Sequence, residues 1–381
     1  MPAGKRHLTV LFAPDSFKGT FTSIEVARAL AAGWASARPD DEILLAPLAD
    51  GGEGTLEAIA AAGGHEWQSA HVDDPLGRPI TARWLRSENG GGAVLEMAEA
   101  SGLSRVARAE RDPVRASSIG TGQLLLAAAA AGVQRVTLGI GGSATTDGGR
   151  GLLLGLGARV DHDGRPDLTP LDPALGQIEL EVACDVSNPL LGADGAAAVF
   201  GPQKGATPDL VAQLDARNAD WADLLEAAAG RRERDTPGAG AAGGVGFALL
   251  AIQDRFASFA LWPGVELAMS ASGFDAKLRI ADLVVTGEGR IDASTAFGKT
   301  ALAVARLAHA RGIPCIAVGG GVLHEGIAAL DAFDAISIPV VEQLASLEEI
   351  VAEREAPIER CGKRIAALVS AGQRLDRGRP Q

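Results

Sequence analysis

Two stretches near the N-terminus decide the fold: residues 7–16, HLTVLFAPDS, and residues 42–62, EILLAPLADGGEGTLEAIAAA. His7 to Phe12 reads as a buried strand that stops at Pro14-Asp15-Ser16. Ser23 to Ser36 then carries Ile24, Val26, Ala27, Leu30 and Ala31 at mainly helical spacing, with Thr22 or Ser23 as its cap. Glu42 to Leu48 is a second strand, and it passes through Ala49-Asp50-Gly51-Gly52-Glu53-Gly54-Thr55 into a helical run from Leu56 to Ala62. A β-α-β-α rhythm of this kind builds a parallel sheet.

The C-terminal part keeps the rhythm, with strands predicted at Leu283 to Thr286, Cys315 to Val318 and Ala335 to Ile338, and a helix over Thr300 to Arg311. The middle does not. Asp73 to Pro79, Glu88 to Gly92 and Asp161 to Pro166 are turn-rich and predict hairpins mixed with helices. The chain therefore reads as α/β throughout: residues 1–75 and 275–381 form one discontinuous domain, interrupted by an inserted α/β domain over 76–274.

The 381 residues suffice for about two domains of ordinary size. A formal net charge of −13 argues against sequence-independent nucleic-acid binding, which needs a Lys/Arg surface. Cys184, Cys315 and Cys361 are odd in number and far apart, so neither a disulfide framework nor a zinc site is expected, and reducing cytoplasm fits best. The apolar stretch Leu8 to Ala13 is too short for a signal sequence, and no run approaches the ~18 residues of a membrane span.

Chemistry is concentrated in glycine-rich, acid-containing turns at strand ends, where open α/β sheets bind ligands. Asp50 to Thr55 opens a helix whose first N–H groups suit an anion, although a capped turn would read the same way. Gly139 to Gly149 follows the strand Arg135 to Leu138 and satisfies G-x-G-x-x-A, with Asp161 about twenty residues on. That imitation of a dinucleotide fingerprint supplies an alternative, an NAD(P)-dependent oxidoreductase acting on a small hydroxy acid. Against it, Asp161 opens an Asp-Gly turn instead of a crossover helix. Gly238 to Gly243 matches the glycine pattern too, without a buried strand before it. Asp185 to Gly192 ends a strand over Ile178 to Val182, and Phe200 to Gly205 follows with a lysine in a turn. Thr286 to Asp292 follows a strand, and Gly298-Lys299-Thr300 opens a helix, but Ala293 breaks the Walker A pattern. Anion-accepting turns, several carboxylates and a few cations are what phosphoryl transfer requires.

Ala13 to Gly19, Ala49 to Thr55, Gly139 to Gly149, Asp185 to Leu190, Phe200 to Gly205 and Thr286 to Asp292, in that order, resemble the glycerate kinase type I family over nearly the whole chain. The resemblance implies a Rossmann-like parallel-sheet domain interrupted by a second α/β domain, with the site in the cleft between them. It also implies ATP-dependent phosphorylation of D-glycerate at its 2-hydroxyl. Ser294 and Ala301 depart from the family's usual G-R-I-D-x-Q-T-x-x-G-K-x-P, in which Gln and Pro stand at those positions.

Carried onto this sequence, the resemblance makes Asp185 the provisional base. Asp50, Glu53 and Asp292 are expected to hold Mg²⁺ or its waters, roles that are exchangeable among these four acids. Lys18, Lys204 and Lys299 are expected to neutralise phosphoryl or carboxylate oxygens, and Arg78 or Arg290 to clamp the substrate carboxylate. Ser16 and Asn188 are expected at the substrate. ATP is expected on Gly141, Gly142, Ser143, Thr145, Asp147, Glu288, Gly298 and Lys299, through helix starts near 143–148 and 298–300. A third possibility is an anion-binding protein without turnover.

Overall fold

The computed structural model describes residues 7–17, 19–49, 51–52, 54–297, 300–342, 349 and 352–376. By its internal contacts the chain divides into two units, one of residues 1–50, 57–63 and 268–381, the other of residues 51–56 and 64–267.

In the first unit β1 (Thr9–Pro14) lies between β2 (Glu42–Leu45) and β11 (Leu283–Ile291), and the sheet continues through β12 (Cys315–Val322) to β13 (Ile336–Pro339). All four pairings are parallel, with Val10 opposite both Ile43 and Leu283. Val10 to Ala13 are fully buried, as a central parallel strand covered on both faces requires, and this is why they form an unbroken apolar run. Helix Ser23–Ala37 starts in a capping box: Thr22 Oγ1 accepts from Glu25 N at 3.3 Å, and Thr22 N donates to Glu25 at 2.8 Å. Its apolar face sets Leu30 and Trp34 against Val10 and Phe12, together with Ile358 and Ile365 of helix Ala356–Asp376. Lys277 Nζ donates to the carbonyls of Leu45 and Ala62, each at 3.0 Å, and of Ser272 at 3.2 Å. One cation thus serves a strand end and a helix C-terminus at once.

β11 and β12 run beyond the expected ends at Thr286 and Val318. The glycines that read as turns stay extended and pair, Gly287 with Val318, Glu288 with Gly319 and Arg290 with Gly321. Glu288 and Arg290 accordingly sit on a strand, where a turn was expected.

The second unit holds a six-stranded sheet in the order β10 (Ser258–Trp262), β9 (Glu179–Ala183), β6 (Arg135–Gly139), β5 (Gly92–Glu96), β4 (Pro79–Ser87), β3 (His65–Asp73). The first four strands are parallel, and β4 and β3 add an antiparallel edge. The turn-rich segments at 73–79 and 88–92 are its hairpin turns, and that at 161–166 joins β7 (Arg159–Val160) to β8 (Pro166–Asp167). β3 therefore groups with this unit, whereas the sequence reading placed residues up to 75 with the outer pieces. A tight hairpin binds a strand to its sequence neighbour, and β3 pairs with β4 along its whole length.

Candidate active site

β5, β6, β9 and β10 end in register at Glu96, Gly139, Ala183 and Trp262, so the loops that follow share one edge of the second sheet. The loop after β6 is the longest of the glycine motifs. No helix begins within 143–148 as expected; the helix starts at Arg150 and is six residues long. A Cβ at Gly139 would lie 2.5 Å from the Gly51 carbonyl oxygen, and one at Gly141 would lie 2.7 Å from Gly52 Cα. These two glycine runs are thus packed backbone to backbone, and Gly141 N donates to Gly51 O at 3.3 Å.

Asp147, expected at the nucleotide, is committed to the framework instead. Its carboxylate accepts from Ser118 N at 2.8 Å, Ser118 Oγ at 2.9 Å, Gly149 N at 3.1 Å and Gly151 N at 3.0 Å. It thereby satisfies the orphan N–H groups where two helices begin. Lys204 is 2% exposed, and its Nζ donates to Ser143 Oγ at 2.9 Å and Thr145 O at 2.6 Å. Burial pushes its ammonium down to about 7, with the charge of Asp147 opposing the shift. Sequence reasoning singled out Gly238 to Gly243 as a glycine pattern but not as the partner of this loop. Gly243 has φ +70, and a Cβ there would lie 1.9 Å from Thr145 O.

Asp185 is exposed just after β9, and its Oδ1 accepts from Gly264 N at 2.7 Å, linking the loops after β9 and β10. Asn188 Nδ2 donates to Asp194 O at 2.8 Å, so this expected substrate contact is engaged within its own loop. Arg78 lies in the β3–β4 turn with its guanidinium on Asp74 at 2.5 Å and Glu110 at 3.3 Å.

The first unit carries a second constellation at the corresponding edge of its sheet. Asp15, just after β1, takes Ser16 N on Oδ1 at 2.6 Å and Thr300 Oγ1 on Oδ2 at 2.8 Å. Glu288 accepts from Thr295 Oγ1 at 2.6 Å, and that hydroxyl accepts from Asp292 N at 3.1 Å. Asp15 and Glu288 are 7% and 5% exposed, and these donors offset part of the cost of burying both carboxylates. Asp15 was not among the expected site residues, though its place after a buried strand was visible. Arg290 is exposed, 3.4 Å from Asp292. Lys18, Asp50, Glu53, Gly298 and Lys299 lie outside the described residues.

Among the described residues no group of three or more His, Cys, Asp or Glu is arranged to hold a metal ion, and no described helix is long and apolar enough to cross a membrane. The dinucleotide reading loses its acid: Asp161 Oδ1 accepts from Asp163 N and Arg165 N, both at 2.9 Å, inside the β7–β8 turn.

The model of the glycerate kinase family matches residues 10–370. A glycerate kinase of Halalkalibacterium halodurans is 41% identical over 379 residues, covering 95% of this chain and 98% of its own. A glycerate 2-kinase of Escherichia coli K12 is 38% identical over 383 residues, covering 96% and 99%. A crystal structure described as a candidate glycerate kinase 2 from Salmonella typhimurium LT2 matches with a TM-score of 0.83 at 39% identity, over 97% of this chain and 100% of the other. A mixed α/β fold with parallel-dominated sheets thus comes with kinase relatives along nearly its whole length, and the oxidoreductase alternative finds no support in them. The chain belongs to the glycerate kinase family.

Proposed function

We propose that this protein transfers the γ-phosphoryl group of ATP to the 2-hydroxyl of D-glycerate, giving 2-phosphoglycerate and ADP. The observation that carries the reading is the match to the glycerate kinase family over residues 10–370. Phosphoryl transfer relies on positioning and on stabilising charge, and a glycine loop with hydroxyls at a strand-end edge suits both needs.

Asp185 is the base in this reading: it is exposed, and the Gly264 N–H holds one oxygen in place. Arg290 is preferred to Arg78 for the substrate carboxylate, because Asp74 and Glu110 already engage Arg78. In this reading Ser143 and the Gly142 amide would serve the anionic groups, while Thr145, buried with its hydroxyl 3.4 Å from Ala242 O, and Gly141, whose amide bonds to Gly51 O, would shape the loop; Ser16, Glu288, Gly298 and Lys299 would serve the nucleotide and substrate. Hard carboxylate oxygens suit Mg²⁺, which commonly binds through one or two carboxylates together with the substrate's phosphates, so the absence of a three-acid cage among the described residues is compatible with it. Asp292, with Asp50 and Glu53, would hold the ion, whose chemistry there is charge neutralisation. Lys18 would serve the phosphoryl oxygens.

The test is ADP release from ATP and Mg²⁺ with D-glycerate, L-glycerate or no acceptor, coupled to enolase, which consumes 2-phosphoglycerate directly. Acceptor-dependent ADP with an enolase signal from D-glycerate is expected; its absence from folded protein would overturn the reading. Asp185→Asn should lower turnover by roughly a hundredfold or more with folding intact.

A further inference from the structure

Lys204 ends the short turn Pro202–Lys204, and its side chain runs inward from there. A lysine that neutralises a bound phosphate presents its ammonium to the ligand, whereas this one is 2% exposed and gives two donors to the loop after β6. An ammonium can only donate, while a hydroxyl has one donor and two acceptor sites. The bond from Lys204 occupies an acceptor site of Ser143, so the Ser143 proton needs a different acceptor. Among the described residues, no hydrogen bond takes it. Thr146, three positions along the same loop, is 1% exposed, and its Oγ1 has no partner among the described residues. Two hydroxyls of one loop thus have protons to offer a ligand oxygen.

We propose that Lys204 is a positioning residue, which pins the loop through the Thr145 carbonyl and turns Ser143 into a hydrogen-bond donor for an anionic oxygen of the substrate or nucleotide. The inference rests on the kinase reading above. Burial at this depth disfavours the ammonium, down to about 7, and the two short bonds and the charge of Asp147 offset part of that cost. A residue present only for packing would be better served by an apolar side chain.

The experiment compares Lys204→Met, Ser143→Ala and the double variant with the wild-type enzyme, measuring thermal midpoint, kcat, and KM for ATP and for D-glycerate. Met keeps the length of the stem and removes the donor. Each single variant is expected to raise KM for one and the same substrate by roughly tenfold, with kcat altered far less. The double variant is expected to be no more than about twofold worse than the worse single, because both changes remove one contact. Wild-type KM and kcat in folded Lys204→Met, with only the thermal midpoint lowered, would overturn the proposal, and so would additive effects in the double variant. Should Lys204→Met fail to fold, Ser143→Ala decides alone: an unchanged KM for both substrates would show that its proton reaches no ligand. Wild-type protein lacking glycerate-dependent ADP release is a separate outcome, which removes the kinase reading and this inference with it.

Discussion

The Thr300 hydroxyl donates to Asp15 Oδ2 at 2.8 Å, a bond between residues 285 positions apart that ties the start of helix Thr300–His309 to the loop after β1. Both residues are buried, so losing the donor removes one hydrogen bond from a buried carboxylate. Thr300→Val should cost about 1–3 kcal/mol in urea unfolding, and Thr300→Ser much less, because the hydroxyl is kept. Equal stability of the two variants would mean that the bond contributes nothing.

Asp147 meets donors from two helix starts. Asp147→Asn keeps the shape and turns one acceptor into an NH₂ group facing N–H donors. A loss of about 3 kcal/mol is expected, with glycerate-dependent ADP release falling in parallel, because the 139–149 loop loses its anchor. Full activity with reduced stability would separate the loop from the chemistry.

Gly243→Ala places a methyl group against the Thr145 carbonyl at positive φ, while at Gly230, with φ +68, nothing lies within 4 Å. The first substitution combines overlap with strain and should cost about 3 kcal/mol or more; the second, strain alone, about 1 kcal/mol. Thermal denaturation of the two variants checks the difference.

Burial raises the Glu99 carboxyl, but hydrogen bonds from Arg83 and the charges of Arg83 and Arg105 outweigh it and hold the group below its ordinary value. A folded value below the unfolded one contributes stability above about pH 4.3, and that contribution is lost as pH falls through the folded value. The stability gap between wild type and Glu99→Gln should be flat above about pH 6 and shrink in acid, measured by urea midpoints across the range. A gap that widened in acid would reverse the assignment.

The apolar runs at 10–13 and 283–286 were legible as central strands because both faces of such a strand are covered, leaving no polar alternation to confuse the reading. Thr22 was legible as a cap for a similarly local reason. The extensions of β11 and β12 were not, since glycine usually marks a turn and only the neighbouring strand shows that Gly287 and Gly319 are extended. The site divides in the same way. The position of Ser143 and Asp185 beyond strand ends follows from local pattern, but Lys204 read as a charge for phosphate because its burial depends on the distant Ser143 and Thr145. Asp147 and Asn188 looked available for ligands until their backbone partners were seen.

β1 has one neighbour close behind it in the chain and the other far ahead: Val10 pairs with Ile43 on one side and Leu283 on the other, and Thr9 N bonds to Asp282 across 273 positions. During synthesis at about 5–20 residues per second, the far side of β1 waits on the order of tens of seconds for its partner. Every strand of the six-stranded sheet lies between His65 and Trp262 and leaves the ribosome before then. A nascent chain paused short of Leu283 therefore holds all the strands of one sheet, while its N-terminal apolar strand still shows an open edge. At that stage the open edge of β1 offers unpaired backbone groups that the finished sheet covers with β11.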